Sequence, residues 1–444
     1  ERSEIVEAAI PKKLAGQGYK VLDSVTGKRL PVQIIETTAH DFQTGCFRIA
    51  FKAGDVPPLG FKVFNLVPEG SWNQGQKEDC KGVLENDFYR LSFDPRTGEV
   101  TELYDQVLNY QLIDKGSNFK FNQLVYETTV EPRVVDLSEH DKFSHEALYL
   151  QPYFRKLHKE FYDYPPLGTK FKRYIAQDQK ILKVARGEVY TEILTQGNTY
   201  MCPVIKSHIL LNNTEKQVLV KNYLEKHETL DVEAVYYAFP FGLRQPRFLI
   251  NCHAGYYQPE EGQLPGSSKD WQCVQKYVDI SNSEIDIMWS PLQAPLVQLG
   301  DINTGKWLDK LQLDKAHIYS FALNNHWWTN SPASQGGRFW FDYSITSRPA
   351  PFDPGAAYDF GWAFNTPMET RFIQEYRPEG VAEFSFMKKL PDNIKLLGFK
   401  KAEQQDDFIV RLVEVAGSKT RVKLKMGEKP IKDCQLSNPV EKDI

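Results

Sequence analysis

Between residues 321 and 345 the chain reads FALNNHWWTNSPASQGGRFWFDYSI, and its centre sets Asn324, Asn325, His326, Trp327, Trp328, Thr329 and Asn330 in succession. Pro332 and the Gly336–Gly337 pair fix the backbone around them. Indole faces stack on the apolar face of a pyranose, and amides both donate to and accept from its hydroxyls. Asn324, Asn325, His326, Trp327 and Trp328 are therefore the candidate carbohydrate-binding residues. The same letters also suit a tryptophan-rich core corner whose asparagines make Asx turns. A sugar site would have Trp327 packed inward, with Asn324, Asn325 and His326 facing outward.

Other chemistry finds less support. A retaining glycosidase needs two carboxyl groups about 5–5.5 Å apart, and none of the acidic residues sits in a motif that predicts such a pair. Glu260-Glu261 and Asp406-Asp407 read as solvated turns. His140, His145 and His158, with Asp141 and Glu146 between them, form a loose cluster without HExxH spacing, which reads as surface histidines and not as a metal site. No GxSxG occurs, and six scattered cysteines lack CxxC spacing. No catalytic residue and no metal ligand is assigned.

The 444 residues carry a formal net charge of −4 and no long basic run, which argues against nucleic acid as a partner. No apolar run reaches the roughly 18 residues of a membrane-spanning helix. The opening ERSEIVEAAIPKK has no secretory signature and no initiating Met, so the chain is expected to begin inside a longer protein. The one glycosylation sequon, Asn212-Asn213-Thr214, falls in a turn.

Positioning these residues falls to strands, because apolar side chains recur with period two and almost nowhere with period 3.6. Tyr89, Leu91 and Phe93 alternate into the turn at Asp94–Gly98, predicting a hairpin; SHILLNNTEKQVLVKNYLE predicts a second, and FIVRLVEVAGSKTRVKLKM a terminal one. So many short strands after residue 76 require a large two-sheet sandwich. The expected blocks are 1–75, a small β-sandwich; 76–366, the large one; and 367–444, a C-terminal hairpin or sandwich.

Several segments resemble the C-terminal β-domains of glycoside hydrolase family 38, the retaining α-mannosidases: DVPPLGFKVF (55–64), LENDFYRLSFDPRTGEV (84–100), FKFNQLVYE (119–127), EAVYYAFPF (233–241), QLPGSSKDW (263–271), APLVQLGDI (294–302) and NNHWWTNSPASQGG (324–337). They follow the family's order from near residue 1 to about residue 415. Family members commonly have a histidine and a tyrosine where this chain has Trp328 and Ser331.

The resemblance implies an all-β fold, a galactose-mutarotase-like β-supersandwich flanked by smaller β-sandwich domains. It also implies that catalysis belongs to an N-terminal β/α barrel and helical bundle holding zinc, partners absent from this sequence. The chain is then the supporting β-portion of an α-mannosidase-like enzyme acting on a glycan, inactive by itself and with an apolar face where the barrel docks. A stand-alone carbohydrate-binding module and a mutarotase-like sugar epimerase are the competing expectations.

Overall fold

The computed structural model describes residues 1–14, 18–35, 45–70, 76–77, 81–130, 169–229, 231–253, 255–326, 335–374, 380–404, 406–427 and 431–442. Antiparallel strands dominate them, as the period-two pattern requires, and the chain is all-β. Two compact units form: one from 1–76, 186–190 and 353–444, the other from 77–185 and 191–352.

In the second unit a six-stranded sheet is ordered Phe171–Ile175, Gln123–Thr129, Glu233–Pro240, His317–Asn324, Leu296–Leu299 and Gln272–Cys273. It packs on a ten-stranded sheet whose middle runs through Arg247–Cys252, Val278–Ser281, Ile285–Pro291, Gly337–Pro349, Val218–Lys226 and Cys202–Asn212. Aromatic rings join the two. Phe239 meets the Trp289 edge at 5.4 Å, and Tyr237 lies 5.9 Å from both Phe341 and Tyr343. Each such ring removed from water contributes about 1.5–3 kcal/mol.

Strand Glu233–Pro240 is buried along its whole length. Val235, Tyr237 and Phe239 enter the core between the sheets; Ala234, Tyr236 and Ala238 pack on the opposite face with Val125, Ile302, Tyr319 and Phe321. That double burial is why its sequence is continuously apolar after Glu233, where a one-sided strand would alternate.

Both internal hairpins form. Asp94 Oδ1 accepts from the amides of Arg96 and Thr97 at 2.8 and 3.0 Å, and Gly98 takes φ +77°. In the second hairpin the buried Asn212 does the same for Thr214 and Glu215 at 2.9 and 3.0 Å. The sequon's asparagine is thus spent on its own turn.

The first unit interleaves the two ends of the chain. Sheet Arg2–Pro11, Cys46–Val56 and Val32–Ile35 builds a core of Val6, Ile10, Ile49 and Phe51, onto which Met368 and Phe372 pack. Gly60–Lys62 pairs with Glu383–Ser385, the Met368 amide donates to Glu4 Oε1, and Arg2 donates to the Thr366 carbonyl at 2.6 Å. Segments from the expected blocks 1–75 and 367–444 therefore share one unit.

Two local expectations are corrected. Helix Pro354–Asn365 stands where only strands were read; its apolar letters form no stripe, but Asp353 accepts from Ala356 N at 3.1 Å and proline opens the first turn, a start signal present in the sequence. The terminal hairpin joins Phe408–Glu414 to Ile394–Lys401, not to residues 421–426. Lys401 lies opposite Phe408 at the closed end of this pair, and Met426 forms an isolated bridge to Met387.

Candidate functional site

Strand His317–Asn324 delivers the candidate loop, and the structure describes its first residues. Asn324 is half-buried, opposite Ala234. Asn325 turns inward: its Oδ1 accepts from Glu233 N at 2.7 Å, and its Nδ2 donates to the carbonyls of Asp231 and Thr229 at 2.7 and 3.2 Å. Its own amide donates to Glu233 O at 3.1 Å. The side chain thus acts as a further rung of the sheet, satisfying backbone groups that would otherwise be stranded. His326 is also buried, its ring 5.9 Å from that of Phe321. The expectation that Asn325 and His326 face outward is therefore overturned, because backbone carbonyls and an aromatic ring claim them first. Trp327 and Trp328 lie outside the described residues, as do His140, His145 and His158.

Beside Asn325 lies an ion pair that sequence reasoning missed. Lys226 ends a strand of the ten-stranded sheet, Glu233 begins one of the six-stranded sheet, and their side chains meet at 2.5 Å with both buried. Lys226 Nζ also donates to the carbonyls of His227 and Gln335, at 2.9 and 2.6 Å. Tyr126 OH donates to the other Glu233 oxygen. Burial raises the Glu233 pKa against the opposing pull of Lys226 and Tyr126. Close approach here disfavours a side chain at Gly336: a Cβ would run into Glu228 Cγ and fall 3.1 Å from Glu228 N and 3.3 Å from Lys226 O. A second buried carboxylate, Glu127, is held by Arg173 Nε at 2.7 Å and Tyr236 OH at 3.2 Å. Both carboxylates are committed to partners within the fold.

At the other end of the same two strands, polar groups meet open space. His317, opposite Pro240, places Nε2 2.9 Å from Asp114 Oδ2, and Tyr319 OH lies 3.4 Å from its Nδ1. Burial lowers the His317 pKa, with Asp114 pulling the other way, so the ring is held toward the neutral form. Asp114 lines an open cleft of about 1000 Å³ walled by residues 109–111, 113–116, 242, 244–245 and 282–284. Sequence reasoning missed this site; its sign was a histidine beginning a largely apolar strand.

No group of three or more His, Cys, Asp or Glu side chains among the described residues could hold a metal ion, so the donor set zinc requires is not found there. No helix among them is long and apolar enough to cross a membrane.

Residues 84–288 match the model of the glycosyl hydrolases family 38 C-terminal domain, and residues 393–444 that of the family 38 C-terminal beta sandwich domain. The chain carries the C-terminal domains of glycosyl hydrolase family 38. An alpha-mannosidase from Enterococcus faecalis V583 matches 100% of this chain with 52% of its own, at 11% identity and a TM-score of 0.66. A second family 38 protein from Enterococcus faecalis matches 100% of this chain with 54% of its own, at 12% identity and 0.65. The chain thus spans about half the length of these two structures. A putative aldose 1-epimerase from Escherichia coli K12 matches 60% of this chain and 98% of its own at 9% identity, with a TM-score of 0.34, too slight a likeness to carry an argument. No curated protein matches the chain in sequence.

Proposed function

We propose that this chain is the C-terminal β-portion of an α-mannosidase-like glycoside hydrolase, completing and supporting an active site carried by an N-terminal β/α barrel and helical bundle. The observation that carries this reading is the pair of family 38 matches, at 84–288 and 393–444. Cleavage with retention requires a nucleophilic carboxylate and a general acid about 5–5.5 Å apart. Glu233 and Glu127 suit neither role, since Lys226, Tyr126, Arg173 and Tyr236 already occupy their oxygens. Zinc, when bound in the catalytic portion, would polarise the substrate as a Lewis acid.

This chain's own contribution is positional. Lys226 and Asn325 fix the backbone on both sides of residues 327–334, through Gln335 O and Glu233 N. Asn324 and Trp328 are the residues proposed to meet the glycan, while Asn325 and His326 serve it indirectly by fixing the approach to the loop.

Hydrolysis of an aryl α-mannoside tests the reading. The expected outcome is no turnover by this chain alone and zinc-dependent turnover once it is joined to its catalytic portion. Turnover by the chain alone, or a joined enzyme that ignores α-mannosides, would overturn it.

A further inference from the structure

The cleft at the His317 end has a use that the reading above leaves unfilled. Its volume, about 1000 Å³, lies at the upper end of the roughly 300–1,000 Å³ of small-molecule sites. Those sites are mostly apolar; this one is not. Asp114 and Glu284 stand with Lys115 and Arg244 along its wall, two charges of each sign, so a net charge on the ligand gains nothing. Tyr110 supplies the aromatic ring, its OH 3.5 Å from Gly242 O. A neutral molecule that both donates and accepts at many points fits such a wall, and a sugar offers that together with an apolar face for the ring.

The wall is also built in advance. Asp114 Oδ1 accepts from Gly116 N at 2.8 Å, and Oδ2 meets His317 at 2.9 Å. Tyr319 OH, as donor to His317 Nδ1, leaves the imidazole hydrogen on Nε2 to face the carboxylate. Held on both oxygens, the Asp114 side chain still keeps 36% of its surface open. Asn282 does the same for the opposite rim, its Oδ1 accepting from Glu284 N at 2.8 Å while its Nδ2 donates to Arg244 O at 3.3 Å. Groups fixed before the ligand arrives lose little entropy when it binds.

We propose that this cleft is a non-catalytic binding site for a neutral sugar, with the oriented Asp114 carboxylate accepting from its hydroxyls, Lys115 and Arg244 donating, and Tyr110 meeting its apolar face. Six residue steps along strand Glu233–Pro240 separate it from the Asn324 loop, roughly 20 Å at about 3.3 Å per step. It is a separate site, resting on its lining and not on the enzyme activity proposed above.

Saturation-transfer NMR on this chain, with methyl α-mannopyranoside and methyl α-galactopyranoside as probes and inorganic phosphate and glycine betaine as charged controls, tests the proposal. A saturable glycoside signal is expected, weakened at least tenfold by Asp114→Ala and by Arg244→Ala and unchanged by Leu264→Ala, at an exposed position outside the cleft. Arg244 is exposed, so its variant reports on binding even if Asp114→Ala disturbs the fold. Absence of saturable glycoside binding would overturn the proposal, as would binding indifferent to both cleft variants, binding lost equally in Leu264→Ala, or uptake of phosphate or betaine in place of the glycoside. Hydrolysis plays no part in this readout, so its outcome leaves the α-mannosidase reading untouched.

Discussion

Strands Glu233–Pro240 and His317–Asn324 run side by side, and their two ends treat polar side chains in opposite ways. At the Asn325 end, Lys226, Glu233 and Asn325 are buried and turned onto one another and onto backbone carbonyls. At the His317 end a buried histidine holds a carboxylate that remains open to a cleft. Chemistry of the same kind thus serves cohesion where water is excluded and recognition where it is admitted. What separates the two is the available partner: a facing backbone in one case, solvent in the other.

Removing one partner of the buried pair should break the closed end most severely. Lys226→Met strands the Glu233 carboxylate, and urea unfolding should show a loss of about 3–5 kcal/mol. Lys115→Met at the cleft, on a side chain 60% exposed, should stay within about 0.5 kcal/mol. Similar losses at the two positions would erase the contrast. Next in size, Asn325→Ala leaves the Glu233 amide without its acceptor and should cost about 1–3 kcal/mol, whereas the exposed Gln245→Ala should leave the unfolding midpoint almost unmoved.

The smallest effects should carry opposite signs with pH. Glu233 has its pKa raised in the fold, so between its unfolded value near 4.5 and the raised value the folded state holds more protons; its contribution is lost as pH rises through that window. His317 has its pKa lowered, so its contribution is present above 6.5 and lost as pH falls toward the folded value. Stability measured from pH 4 to 8 should lose its alkaline-going decline in Glu233→Gln and its acid-going decline in His317→Gln, each relative to the parent chain. Slopes that fail to separate between the two variants would mean that the ends are not electrostatically distinct.

Strand periodicity made the all-β fold and both internal hairpins legible, because alternation and turn chemistry are local. Pairing is not: Phe408–Glu414 found its partner on the earlier side, and no letter in that strand marks the choice. The polarity of Asn324–Asn325–His326 was legible but its direction was not, since an amide serves a carbonyl as readily as a ligand. Asp114 and His317 meet across 203 positions, beyond any spacing rule. Lys226 and Glu233 are near in sequence, yet their meeting depends on two sheets closing over each other.

Interleaving of the chain's ends in the first unit sets an order on biosynthesis. Strand Gly60–Lys62 leaves the ribosome more than 300 residues before its partner Glu383–Ser385. At roughly 5–20 residues per second that interval is on the order of 15–60 s, long enough for residues 77–352 to emerge complete. The early segment must spend that time without its partner strand, so this sheet can close only after translation has passed residue 385.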